Sequence, residues 1–430
     1  MFWQKEIETL SRDKLSALQL ERLGRTLARV YERVPFYRKA MDGNGFRPED
    51  LRGLKDITAL PFTTREDLRA GYPDGLLAVE RTEAVRLHTS SGTTGKPKAI
   101  FFSRRDLDQA AELLARCLVM TGTGPGDVLQ NMMTYGLFTG ALMMHYAAEK
   151  VGILVIPSGP GNTERQLDLM RDFGTTVLHI TPSYLLYLAD YLARAGLDPA
   201  RDLKLKRAYV GAEPYSEETR RKIESLYGID IYNSYGLSEM NGPGVAFECA
   251  GKQGMHLWED NFLMEVVDPE TGRPRAEGEA GELILTTLNR EAMPIIRYRT
   301  RDITSVISEP CACGRTHRRI TRIAGRADDM FIVRGVNIFP QQVERVLMAV
   351  SGVAQNYQII LDSYDQMTVR VEIQREVFDG HVEHLIRLKN LIIDRLRSEI
   401  VVRPEVELVE PGSLPTFEGK GKRVIDRRTM

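Results

Sequence analysis

Cysteine and tryptophan are scarce, with four and two in 430 residues, and charge of either sign is nearly cancelled: 58 basic against 59 acidic side chains leave a formal −1. Each shortage excludes something. So few cysteines cannot staple a chain of this length, so folding must rest on hydrophobic cores. Without an excess of basic charge there is no footprint for nucleic acid or an anionic membrane surface. Long apolar runs are also missing. The most apolar stretch, GALMMHYAAEKVGILVIP, is interrupted by His145, Glu149 and Lys150 and cannot span a bilayer as it stands. The opening MFWQKEIETLSRDKL is charged within its first six residues and has no apolar h-region, so no secretory signal is expected and the cytoplasm is the expected compartment. Internal repeats and low-complexity tracts are not apparent.

What remains is the material of a small-molecule enzyme. Hydrophobic content of 43% with 27% charged residues is ordinary for a globular protein. At 430 residues the chain exceeds the roughly 250–300 residues at which single cores stop growing, so at least two domains are expected. Leu20, Leu23, Leu27, Val30 and Val34 recur at helical spacing and predict an amphipathic helix near the amino terminus. From about residue 125, strand-like runs (DVLQNMM, GILVIPSG, TVLHI, RAYVGAE, IDIYNSYG) alternate with helical ones such as TERQLDLMRDFG and SEETRRKIESLYG. Thr181 with Pro182, and Ser216, mark helix starts, and Gly228 marks a stop. Such alternation predicts an α/β fold with parallel sheets flanked by helices. FLMEVVDPETGRP, GELILTTL and IRYRTRDITSVI follow without helices between them and predict an antiparallel, β-barrel-like subdomain. The remainder reads as a small α+β domain, giving domains of 1–327 and 328–430.

Three polar loops fall where a parallel sheet would present them to a ligand: SSGTTGKPK (90–98), GAEP (211–214) and YGLSE (235–239). The first resembles an anion-wrapping loop but fails the Walker pattern, because only two residues separate Gly92 from Gly95 and Lys96 precedes Pro97. A P-loop kinase or ATPase is therefore disfavoured. Taken singly, each loop is equally readable as a solvated turn.

In order along the chain, SSGTTGKPK, YGLSE, YRTRD (298–302), GRADD (325–329) and EGKGKR resemble the core motifs of the adenylate-forming superfamily. More narrowly, TYGLFTGAL, NGPGV, HLWED, MPIIRYRTRDIT and DDMFIVRGVNIFP resemble phenylacetate–coenzyme A ligases, over essentially the whole chain. The resemblance implies an ATP-dependent, AMP-forming ligase in which a carboxylate attacks the α-phosphorus and the thiol of coenzyme A then displaces AMP. It implies a large AMP-binding domain, a mobile C-terminal lid, and a homodimer. Ser90, Ser91, Gly92, Thr93, Thr94, Gly95 and Lys96 would hold the β- and γ-phosphates, with glycines allowing close backbone approach. Glu239 would hold Mg²⁺, a cation that prefers oxygen ligands. Gly211, Ala212, Glu213 and Pro214 would line the base pocket, with Tyr235, Gly236, Leu237 and Ser238 beside it and Tyr235 stacked on adenine. Asp302 would accept the ribose hydroxyls, unless it pairs with Arg299 or Arg301, and Arg326 would assist at ribose or phosphate. Lys420 would bridge the substrate carboxylate and α-phosphate, with Lys422 as its rival or a solvated basic terminus as the plainer reading. Asp328 would be the lid hinge and Gly335 would lie along the pantetheine arm. Tyr135, Phe138, Gly140 and Ala141 would form an aryl-acid pocket, or simply core.

The expected acid is phenylacetate, with indoleacetate or a hydroxylated phenylacetate as close variants, since a methylene or hydroxyl changes binding by only about 1–3 kcal/mol. A stand-alone enzyme loading a carrier protein and a nucleotide-binding regulator without chemistry are the other readings. Finally, Cys249, His256, Cys311 and Cys313 supply a Cys₃His set suited to structural Zn²⁺, with His317 as a competing ligand and free reduced thiols as the alternative; Cys117 stands alone in a helical stretch.

Overall fold

A computed structural model describes residues 1–89, 97–377, 382–415 and 423–428. Residues 90–96, together with Lys420 and Lys422, lie outside the described residues. The chain forms two compact units, one of Met1–Gly159, Thr175–His179 and Tyr232–Arg322, the other of Pro160–Gly174, Ile180–Ile231 and Ile323–Met430.

The first unit contains helices α1 (Lys5–Glu8), α2 (Arg12–Arg33), α3 (Pro35–Gly43), α4 (Arg65–Ala70), α5 (Arg104–Met120) and α6 (Thr139–Val151). The apolar stripe on α2 is buried as predicted at Leu23, Leu27 and Val30, with Val34 just beyond its end, and Leu15 extends it. Strand Val128–Asn131 pairs in parallel with Leu154–Ile156 and with Val177–Ile180, matching the expected crossover connections. Strands Phe262–Val267, Gly281–Thr287 and Tyr298–Thr304 form the antiparallel meander that their helix-free sequence predicts. Their alternating exposure is clearest in the last, where every second residue is buried.

The second unit carries α7 (Thr163–Asp172), α8 (Pro182–Arg194), α9 (Pro199–Asp202), α10 (Glu217–Tyr227), α11 (Pro340–Met348) and α12 (Val382–Ile400). Thr181 caps α8 by accepting the Tyr184 N–H, Ser216 caps α10 by accepting the Thr219 N–H, and Gly228 closes α10 in the left-handed region at φ 65°. At its carboxyl end, antiparallel strands Val353–Leu361 and Met367–Ile373 are flanked by parallel partners Glu405–Val409 and Val424–Asp426. Val343 and Leu347 of α11 and Ile392 and Leu396 of α12 pack into the core of that small sheet. The segment from Ile323 onward shares its unit with α10, because α11 packs on α10. No helix among the described residues is long and apolar enough to cross a membrane.

Candidate active site

Glu239 is built into a tight reversal. Strand Asp230–Leu237 runs into the single turn Ser238–Met240, and Asn241 and Gly242 take positive φ values of 84° and 86° to return the chain as strand Gly242–Glu248. Gly236 faces Gly242 so closely that a β-carbon would collide with its carbonyl oxygen. The result is a carboxylate only 4% exposed. It forms an ion pair with Lys98 and accepts the Tyr298 hydroxyl at 2.9 Å. Arg290 donates to the Glu239 carbonyl at 2.7 Å and to the Phe101 carbonyl at 3.0 Å, with its guanidinium 4.2 Å from the Phe102 ring centroid. Burial alone would push the Glu239 carboxyl up, but Lys98 and the hydroxyl hold it below the ordinary value. It is therefore an anion at neutral pH, already matched to one cation.

Beside this turn in the same unit, the Tyr235 hydroxyl donates to Asp302 Oδ2 at 2.7 Å. Both residues are buried. The arginines that flank Asp302 in sequence pair elsewhere: Arg299 donates to Glu282 at 3.1 Å, and Arg301 lies 3.7 Å from the same carboxylate. Ser238 and Thr139 hydroxyls meet at 3.2 Å, tying the YGLSE turn to the start of α6.

In the second unit, GAEP leaves strand Arg207–Gly211 with Ala212 at φ 69°, while Glu213 accepts the Ser183 N–H at 2.7 Å and Pro214 is exposed. Burial pushes the Glu213 carboxyl up despite that hydrogen bond. Arg326 pairs with Asp328 at 3.0 Å, so the expected ribose or phosphate ligand and the expected hinge residue hold each other. Arg334 and Gly335 form a two-residue hairpin with φ 51° and 76°, which by itself accounts for glycine at 335. Open space surrounds the position of a Gly335 β-carbon.

The four candidate acid-pocket residues lie together at the start of α6, with different surroundings. Tyr135 is half-buried, its hydroxyl accepting from Asn131 Nδ2 at 2.9 Å and lying 3.1 Å from His145 Nδ1. Burial pushes its phenol up to about 12. Phe138 is exposed, Gly140 has nothing near a notional β-carbon, and Ala141 is fully buried.

The ligand atoms of Cys249, His256, Cys311 and Cys313 all lie within 4.8 Å of one another. Cys313 Sγ is 3.2 Å from His256 Nε2 and the Cys249 and Cys311 sulfurs are 3.6 Å apart. His256 Nδ1 donates to the His317 carbonyl at 2.9 Å, leaving Nε2 toward the thiols, the arrangement expected of a ligating imidazole. His317 itself is turned away: Nδ1 accepts the Glu259 N–H at 2.9 Å and Nε2 is 3.1 Å from the Ile7 carbonyl. Packing thus turns His256, and not His317, toward the three thiols.

Three residues beyond the sequence-derived set complete the site. Lys98 closes the SSGTTGKPK stretch and Tyr298 opens YRTRD, so motif boundaries signalled both. Arg290, in LNREAMP, had no local signal.

Comparison with known proteins adds the following. The AMP-binding enzyme profile matches residues 59–289, and the AMP-binding enzyme C-terminal domain profile matches 335–428. The chain is 46% identical to the phenylacetate-coenzyme A ligase of Thermus thermophilus over 100% of both chains. It is 42% identical to that of Escherichia coli K12 over 99% of this chain and 97% of the relative. Its fold matches 2-hydroxyisobutyryl-CoA ligase, 29% identical, with a TM-score of 0.94 to the postadenylation state in complex with 2-HIB-AMP, covering 99% of this chain and 92% of that one. Against the same relative with 2-HIB-AMP and CoA in the thioesterification state, over the same shares, the score is 0.74.

Proposed function

The chain belongs to the AMP-binding enzymes, within their phenylacetate–coenzyme A ligases, and on that premise we propose that its own acid is phenylacetate. It is an ATP-dependent, AMP-forming ligase that joins an aryl acid to coenzyme A through an acyl-adenylate. The observation that carries the assignment to these residues is the buried Glu239 turn with the Tyr235–Asp302 hydrogen bond beside it in one unit.

In the first step the substrate carboxylate attacks the α-phosphorus and pyrophosphate leaves. In the second the coenzyme A thiol attacks the acyl carbonyl and AMP leaves. Both steps need anions held close, so positioning and fixed positive charge supply the catalysis. Glu239 fits a divalent cation: it is a desolvated, ionised carboxylate now neutralised by the Lys98 ammonium. Mg²⁺ bound there would neutralise charge on the phosphates. Lys98, displaced, would be left facing the same anions. Asp302, oriented by Tyr235, would accept the ribose hydroxyls, and the GAEP backbone (211–214) would border the base. The phosphate loop 90–96 and Lys420 take the roles the family resemblance implies, with Lys420 stabilising the pentavalent transition state. Domains of 1–327 and 328–430, a hinge at Asp328, Arg326 at ribose or phosphate, Gly335 along pantetheine and a pocket from Tyr135, Phe138, Gly140 and Ala141 belong to the same reading. So do a homodimer and a cytoplasmic site of action.

The Cys₃His cluster would hold a structural Zn²⁺. Its soft sulfur and imidazole donors, their closeness and the orienting His317 carbonyl support that metal. Protein purified without chelator should contain about one zinc per chain, and Cys313→Ser should lose it; metal-free wild type overturns this part alone.

A panel of aryl acids in a coenzyme A-dependent AMP-release assay tests the main reading. Phenylacetate should give the highest kcat/KM. A better acid would move the substrate, and AMP release that needs a carrier protein and not coenzyme A would overturn the acceptor.

A further inference from the structure

We propose that Glu344 is a latch for the adenylation half of the reaction, a positioning residue that docks the C-terminal lid on the start of α10 and lets go for thioester formation. The inference rests on the two-step reading above.

Glu344 lies on α11, between core residues Val343 and Val346, yet its carboxylate leaves the lid's own core to find partners on α10. It is 7% exposed. Its Oε1 accepts the Ser216 N–H at 3.3 Å and the Thr219 hydroxyl at 2.7 Å. Ser216 is the N-cap of α10, and its hydroxyl accepts the Thr219 N–H at 3.1 Å. The lid thus supplies an anion to the positive end of a helix whose own cap is already in place. Ser216 follows GAEP by two residues, so the docking point adjoins the loop assigned to the nucleotide.

A second lid residue strengthens the charge pattern. The Arg423 guanidinium sits 4.4 Å from the Tyr357 ring centroid and donates to the Gln355 carbonyl at 3.1 Å. Burial opposes its charge, but Tyr357, Glu344 and Glu213 favour it and prevail.

The chemistry of the contact suits a joint that must open. A carboxylate, an amide N–H and a hydroxyl are each well solvated by water once apart, so undocking exchanges hydrogen bonds instead of exposing apolar surface. A residue that acts in one state only should affect one half-reaction only.

The test measures the two steps separately. Acid-dependent pyrophosphate release is followed without coenzyme A, and thioester formation is followed from supplied phenylacetyl-adenylate and coenzyme A. Glu344→Ala should slow pyrophosphate release about tenfold, the factor that loss of one charge-assisted hydrogen bond implies, while thioester formation stays within about twofold of wild type. Glu344→Gln, which keeps an acceptor for Ser216 and Thr219, should recover part of the loss. Equal slowing of both steps, or no change in either, overturns the latch. Should Glu344→Ala fail to fold, Thr219→Val carries the same expectation from the other side of the contact. Wild-type protein that releases no pyrophosphate with any aryl acid overturns the function reading beneath the latch; an active wild type with unsplit variants overturns the latch alone.

Discussion

Two buried carboxylate centres in the first unit look alike by burial and differ in how their charge is matched. At one, Asp260 receives a bidentate fork from Arg116, at 2.8 and 3.0 Å, and the Asn261 amide at 2.8 Å. The Nε–H of Arg116 donates to Gln4 Oε1 at 2.7 Å, and its Cζ lies 5.1 Å from the Trp258 ring centroid. Close by in sequence to these partners, Glu8 accepts the Trp3 N–H at 2.9 Å and Arg315 at 2.7 Å, with both members of that ion pair nearly inaccessible. At the other centre, Glu239 is matched by one lysine and one phenol. Rigid guanidinium forks with several donors engaged fix a structure; an ammonium on a flexible stem can be exchanged for another cation. Burial of charge alone therefore does not separate the two centres; the replaceable partner is what supports the cation role proposed for Glu239.

The contrast can be broken by substitution. The largest effect is expected at the fixed centre: Glu8→Ala leaves Arg315 buried without its partner and should cost about 3–5 kcal/mol in denaturant unfolding. If the unfolding midpoint hardly moves, that network is not what holds the first unit. Glu239→Gln should do the reverse, lowering kcat/KM by more than about 100-fold, beyond the range usual for residues one shell away from a metal, with an unfolding midpoint near wild type. Comparable losses of stability in the two variants would erase the distinction. Tyr298→Phe removes only the orienting hydroxyl and should lower activity about tenfold, together with a raised Mg²⁺ requirement; an unchanged Mg²⁺ titration would separate the phenol from metal binding.

The smallest effect concerns pH. Burial would raise Asp260, but Arg116 holds it down to about 2, against about 3.9 for an unfolded aspartate. A depressed carboxyl contributes stability that is fully present above the unfolded value and is lost as pH falls through the folded one. Thermal midpoints measured between about pH 4 and 2 should therefore fall less steeply in Asp260→Asn than in wild type. Parallel slopes would place the acid sensitivity elsewhere.

How much of this could be read from the chain alone follows from the range of each interaction. Helix α10 was legible end to end, because Ser216, the glutamates of its first turn and Gly228 act on neighbours within a few residues. The antiparallel meander was legible for a similar reason, since strand-like runs with Gly- and Pro-marked turns and no helix between them need no distant partner to be seen. The Cys₃His grouping is legible from ligand chemistry, yet which histidine faces the thiols needs the fold, since the His317 carbonyl orients the His256 ring while the Glu259 N–H and the Ile7 carbonyl hold His317. Arg290 was missed because its partners lie 51 and 189 positions away. Glu344 gave no sign either: in PQQVERVLMAV it reads as one more solvent-facing charge of an amphipathic helix, and only α10 gives it a purpose. The phosphate loop and Lys420 remain arguments from motif, as they fall outside the described residues.

The crowding of Gly236 against Gly242 has a bearing on how the enzyme can be re-engineered. Two strands that meet with no space for even a methyl group have a single alignment open to them, so the carboxylate between them cannot be steered by loop grafting or by lengthening the turn. Under the acid pocket proposed around Tyr135 and Phe138, efforts to alter which acid is accepted would change side chains at the start of α6 and leave Gly236 and Gly242 untouched.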